Sequence, residues 1–145
     1  MKKLVVFVVS LTLVAGCQNA DQSGPRLSEK EKKQALEDSA SYTSILWLDS
    51  TSKTLAEVKE GEQVAVSYRF RNTGTHNLVI SDASAECGCT TPEIPQQPIA
   101  PGKEGEIKAT FNSQNRVGDN NKHIFVKSNT NPNATTLAFR ITVNP

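Results

Sequence analysis

Two cysteines one residue apart, Cys87 and Cys89, are the pair in this chain best suited to chemistry. A thiolate is both a nucleophile and a soft metal ligand, and neighbouring thiols oxidise to a disulfide. A ring closed across Cys87-Gly88-Cys89 is small and strained, hence easily reduced, and it removes little closure entropy from the unfolded chain. Gly88 lets the backbone bend so that both sulfurs face one side. Three readings fit these residues: a strained disulfide or redox-active dithiol, two reduced thiols packed as small apolar side chains, or two thiolates on a soft metal such as Cu(I). His76 and His123 could complete a metal site only if the fold carries them to the cysteines. Each reads more simply as a surface residue. Zinc is disfavoured, because the usual Cys-x2–4-Cys spacing is absent. No resident metal or cofactor is expected.

Catalytic patterns are missing. The chain has no Gly-x-Ser-x-Gly elbow, no phosphate-cradling glycine loop and no His-Glu-x-x-His helix. Its acidic residues are scattered, so none stands out as half of an acid/base pair. No catalytic residue is named, and a non-enzymatic protein is expected.

The third cysteine, Cys17, has a different setting. Lys2 and Lys3 precede an apolar run, Leu4 to Val14, broken only by Ser10 and Thr12. Ala15 and Gly16 follow, then Cys17. This is the layout of a secretory signal peptide over residues 1–16, with an apolar part too short for the roughly 20 residues that span a bilayer. Val14-Ala15-Gly16-Cys17 resembles the lipobox of bacterial lipoproteins. That resemblance implies a diacylglyceryl group on the Cys17 thiol, cleavage before Cys17, and a membrane partner reached through the lipid. Multiple acyl chains would hold firmly where one is marginal. Gln18 and Asn19 lack the Asp that retains some lipoproteins in the inner membrane, and they lack an acidic surface-export run. The expected location is the cell envelope, at the outer membrane facing the periplasm.

Without Lys2 and Lys3, the 16 basic side chains fall one below the 15 acidic ones. Such a balance argues against nucleic acid, which demands a clustered basic surface. Residues 17–42 read as a lipidated amino terminus and flexible polar tether. Ser28 and Glu31 have the spacing of a capping box, so a short helix fits there. Ala35 and Leu36 alone give that helix too little apolar stripe to dock. As a coil the tether would span roughly 25–30 Å.

Residues 43–145 carry period-two patterning. Val64, Val66, Tyr68 and Phe70 alternate with polar or small residues, as do Ile107, Ala109 and Phe111 and the series Leu137, Phe139, Ile141, Val143. Shorter runs surround Ile45–Leu48, Leu78–Ile80 and Ile124–Val126. Turn residues separate them: Lys59-Glu60-Gly61, Asn72-Thr73-Gly74, Ala100-Pro101-Gly102, Gly118–Asn121 and Asn129–Pro132. Pro101-Gly102 suits the centre of a type II turn. Gly118 to Asn120 reads as a hairpin tip. The expected fold is all-β, an immunoglobulin-like sandwich of two antiparallel sheets. Phe111, Phe125 and Phe139 are expected in or near its core; Trp47 packs the first strand or sits at a sheet edge.

The ordered segments Tyr68–Gly74, Leu78–Ile80, Glu86-Cys-Gly-Cys-Thr-Thr-Pro92, Ile99–Gly102, Phe111-Asn112, Arg116–Gly118 and Val126–Asn129 together resemble the DUF1573 family of exported proteins. The resemblance runs from about Glu57 to Val143. It implies an immunoglobulin-like domain related to the ASPM–SPD-2–Hydin kind and an exported location; it implies no activity. Asp38-Ser39-Ala40 and Asp49-Ser50-Thr51 resemble Bacteroidetes O-glycosylation acceptors. The reading that follows is a lipid-anchored binding or scaffolding module meeting an envelope protein or glycan. The alternative is a thiol-redox or soft-metal-handling protein using Cys87 and Cys89.

Overall fold

The computed structural model describes residues 25–145. Strands dominate. Four long ones have buried alternate residues: β4 (Gln63–Asn72), β7 (Glu104–Asn112), β8 (Gly118–Ser128) and β9 (Ala134–Asn144). Five short ones complete the sheets: β1 (Ile45–Trp47), β2 (Ser52–Thr54), β3 (Val58–Lys59), β5 (Ile80–Ala85) and β6 (Thr90–Glu93). One sheet has the order β1-β4-β7-β6; the other runs β2-β9-β8-β5, with β3 also on β9. Large apolar side chains from both inner faces meet between them. Tyr68, Phe70, Ile107 and Phe111 come from the first sheet, and Ile124, Leu137, Phe139 and Ile141 from the second. Phe111 and Phe139 touch edge to face across the gap, with ring centroids 5.7 Å apart.

The sheets are not wholly antiparallel. β2 and β3 run parallel to β9, pairing Lys53 with Phe139 and Val58 with Val143. This corrects the antiparallel expectation. The segment 48–62 runs along the β9 edge in two short steps instead of turning back on itself. Gly118 to Asn121 is also no hairpin tip: these residues belong to β8 and pair with Val143 to Arg140. The reversal lies earlier, around Asn115, whose φ is +58°. At Ala100-Pro101-Gly102 the expected turn is present. Gly102 has φ +77°, and the Lys103 amide donates to the Ala100 carbonyl at 3.0 Å.

Residues 25–42 do not behave as a free tether. Ser28 and Glu31 form the capping box of helix α1 (Glu29–Glu37), followed by a 3-10 turn at Ser39–Ser41. Too few apolar residues are present to dock this helix, and polar ties fasten it instead. The Leu27 amide donates to Gln96, the Tyr42 hydroxyl donates to the Leu36 carbonyl at 2.9 Å, and Lys32 is buried. Buried Asn129 donates from its amide to the carbonyls of Ser41 and Asn77, at 2.7 and 2.9 Å, and its oxygen accepts from the Val79 amide. Both amide hydrogens and the oxygen of that side chain are thereby engaged. No helix among the described residues is long and apolar enough to cross a membrane. Cys17 and the segment 1–16 lie outside the described residues.

Candidate functional site

The turn Glu86–Cys89 joins β5 to β6 and so links the two sheets. The Thr90 amide donates to the Cys87 carbonyl at 3.3 Å, and the Asn112 amide donates to the Cys89 carbonyl at 2.8 Å. Cys87 and Cys89 are joined as a disulfide, with Cα atoms 5.2 Å apart. Their surroundings differ. Cys89 is 8% exposed and belongs to the core, whereas Cys87 is half-buried against its edge. Thr90 is buried beside Cys89, with its hydroxyl 3.8 Å from the Cys89 sulfur. At Gly88, between the two joined sulfurs, the backbone bends without a left-handed residue. A Cβ there would meet nothing within 4 Å.

The histidines separate. His76 is exposed in the turn after β4, where its ring nitrogen meets only the Thr75 hydroxyl, at 3.3 Å. His123 lies on β8, where its Nδ1 is 2.9 Å from a Glu86 carboxylate oxygen. That contact sets it beside the cysteine turn. Among the described residues, no three His, Cys, Asp or Glu side chains are grouped as a metal site.

The same His123 borders a groove of about 510 Å³ on the outer face of the five-stranded sheet. The register shows how the groove is built. Leu137, Phe139 and Ile141 point inward, so Ala138 and Arg140 point outward. Ser52 and Thr54 on β2 and Asn121 and His123 on β8 lie directly opposite them and share the outer face. Hydroxyls, an amide, an imidazole and a guanidinium therefore surround the small side chain of Ala138. Asn121 accepts a 2.9 Å hydrogen bond from Arg140 Nε, which orients the guanidinium. Lys53 and Lys122 also line the groove, but their ammonium groups turn inward over the rings of Tyr68 and Phe111, at 4.9 and 5.8 Å. None of the lining residues is acidic.

Phe125, expected in or near the core, instead projects from this outer face and is 43% exposed. Its neighbours Ile124 and Val126 take the inward positions, and strict alternation leaves Phe125 outside. Trp47 packs against the core, edge to face on Phe70 at 5.5 Å. Single-strand patterning could not reveal the groove, because its residues come from three strands brought together by the parallel β2–β9 pairing.

Charge braces the groove's β2 edge. Asp49 accepts from both the backbone amide and the side chain of Arg69 and pairs with Lys53 at 3.2 Å. Lys53 donates onward to the Ser67 carbonyl. Hydrogen bonds from Arg69, reinforced by Lys53, hold the Asp49 carboxyl well below the usual carboxylate range. Burial pushes the Tyr68 hydroxyl up to about 12. The acceptor-like motifs at Ser39 and Ser50 are on exposed residues, and Ser50 donates from its hydroxyl to the Ser52 carbonyl.

Two facing sheets with this order define an immunoglobulin-like sandwich, and comparisons agree. The family described as "Protein of unknown function (DUF1573)" matches residues 46–143, and the chain belongs to it. A protein of unknown function from Porphyromonas gingivalis is similar in structure, with a TM-score of 0.62 at 15% identity over 72% of this chain and 49% of that one. The chain thus spans about half the length of that relative. The ASH/PapD-like domain 7 of human CEP192 gives a TM-score of 0.54 at 14% identity, covering 72% of this chain and 86% of that one. The VesB protease of Vibrio cholerae gives 0.52 at 10% identity, covering 78% and 35% respectively. At such identities these likenesses establish the fold alone. No curated protein matches the chain.

Proposed function

We propose that this chain is a lipid-anchored envelope protein whose immunoglobulin-like domain is a non-enzymatic binding module. Its partner is an envelope protein or glycan held in the groove between β2, β9 and β8. One observation carries this reading: six outward residues from three strands form a polar recess of about 510 Å³, a size that suits part of an extended polar ligand. Arg140 offers the terminal nitrogens of its guanidinium there, fixed in direction by Asn121. Phe125 gives the same face an aromatic surface. The anchor is the lipid on Cys17, and the location is the outer membrane facing the periplasm. A purified chain that turned over any substrate class steadily and specifically would defeat the non-enzymatic reading. Cys17→Ser should accumulate as unlipidated precursor; normal processing with membrane retention in high salt would defeat the anchor.

A second reading is favoured by the joined sulfurs of Cys87 and Cys89. It is a thiol-redox role, with the disulfide exchanging with thiols in the envelope. Soft-metal binding through the same two sulfurs belongs to their reduced form, because a disulfide offers no thiolate.

A further inference from the structure

We infer that the Cys87–Cys89 disulfide is built for exchange in one direction, with Cys87 as the sulfur attacked and Cys89 as the leaving thiolate. The inference rests on the thiol-redox reading and adds the order of events. The substrate class is an accessible thiol, either a small organic thiol or an exposed cysteine of another chain.

The asymmetry comes from burial. Cys89 is in the core at 8% exposure, so little of it is open to an incoming sulfur. Cys87 lies half-buried at the core edge, between exposed Glu86 and exposed Gly88. Gly88 adds no side chain between the two cysteines, and the position its Cβ would take is open. Access of this kind decides which sulfur of a disulfide is attacked.

The step balances as ordinary exchange. An incoming thiolate forms a bond to Cys87 Sγ, the Cys87–Cys89 bond breaks, and its electron pair leaves on Cys89 Sγ. The product is a mixed disulfide at Cys87 and a thiolate at Cys89. A second thiol then attacks the incoming sulfur of the mixed disulfide. The substrate leaves as an external disulfide and Cys87 as a thiol, so two thiols have lost two electrons to the protein. Cys89 finally takes a proton from solvent. A thiolate forming in the core would be costly without a donor. Thr90 supplies one: its buried hydroxyl lies 3.8 Å from the Cys89 sulfur, within reach for a sulfur acceptor. Thr90 is thus a positioning residue that stabilises the leaving group.

The test has three parts. First, alkylation of the native protein before and after reduction establishes whether the disulfide is present; two freely alkylated thiols would overturn the redox reading and the inference together. Second, single-thiol variants Cys89→Ala and Cys87→Ser are reacted with a small aromatic disulfide, after circular dichroism has confirmed their fold. Cys87 is expected to react at least about tenfold faster than Cys89, since a thiol buried among apolar groups is both less accessible and less readily ionised. Equal or reversed rates would overturn the inference and leave the redox reading standing. Should a variant fail to fold, wild-type protein treated briefly with a small thiol and quenched in acid gives the same answer. Fragmentation should place the adduct on Cys87, and an adduct on Cys89 would contradict the assignment. Third, Thr90→Val, which keeps shape and removes the hydroxyl, should slow exchange about fivefold, the equivalent of one ordinary hydrogen bond. An unchanged rate would remove Thr90 from the scheme.

Discussion

The Tyr68 hydroxyl donates to the backbone carbonyl of Ala138 at 2.7 Å, tying β4 of one sheet to β9 of the other across 70 residues of sequence. Ala138 is also the small residue at the centre of the outer groove. The groove's middle strand is therefore held from beneath by a core side chain. Tyr68→Phe should keep the fold and lose about 1 kcal/mol, the net worth of one hydrogen bond. Urea unfolding reads this directly. Burial of the same hydroxyl sets an alkaline limit. The hydroxyl is raised from 10.0 to about 12 in the folded chain, so its contribution is complete below pH 10 and fades as pH rises toward 12. Tyr68→Phe should flatten that alkaline decline.

Asp49 gives the opposite slope at low pH. Its folded carboxyl titrates below the ordinary value of 3.8, because Arg69 and Lys53 favour the charged form. Stability from this group is complete above that value and is lost as pH falls below it, since the unfolded chain takes up the proton first. Asp49→Asn should lower stability at neutral pH and reduce its dependence on pH below about 4. Guanidinium chloride would mask the charges, so urea midpoints across acid pH are the suitable measurement.

Two glycines should respond very differently to the same substitution. A Cβ on Gly105 would lie 2.5 Å from the tip of the fully buried Phe70 ring and 3.3 Å from Ile99, with no room for the ring to yield. Gly105→Ala should cost about 1–3 kcal/mol as an overpacked core does. Gly88→Ala meets open space at ordinary φ and should stay within about 0.5 kcal/mol of the parent. Thermal unfolding of the pair checks both.

Docking of α1 shortens the effective tether. Pro25, where the described chain begins, is eight positions beyond Cys17. A lipid on Cys17 would therefore hold the start of the domain within about 29 Å of its anchor, even with the chain fully extended. Asn129→Ala removes the ties to Ser41 and Asn77 and should release the helix. Amides of residues 29–37 should then exchange with deuterium faster, while those of β8 and β9 keep most of their protection.

The long strands were legible in the sequence and the groove was not, for physical reasons. In β4, β7 and β9 most inward positions carry an apolar residue, so period two is plain. β2 reads Ser-Lys-Thr, and Lys53 faces inward through its stem with its charge over Tyr68, which no hydropathy pattern signals. Phe125 misled because an aromatic between two apolar neighbours looks like core. The register with Thr136 and Ser84, both exposed, would have placed it outside. For α1 the capping box was visible, but one of the ties that fasten its segment, at Ser41, comes from Asn129, a residue some ninety positions away. The cysteines were found by spacing alone; their unequal burial depends on which sheet edge the turn crosses.

The most direct test of the binding-module reading is photo-crosslinking in the native envelope from Thr54, on the groove's β2 edge, and from Lys108, exposed on the opposite sheet. A diazirine side chain at position 54 should yield a discrete adduct with a protein or glycan. Arg140→Ala should abolish that adduct, and position 108 should yield none. Equal labelling from both positions, or an adduct from position 54 indifferent to Arg140, would contradict the groove as the binding surface.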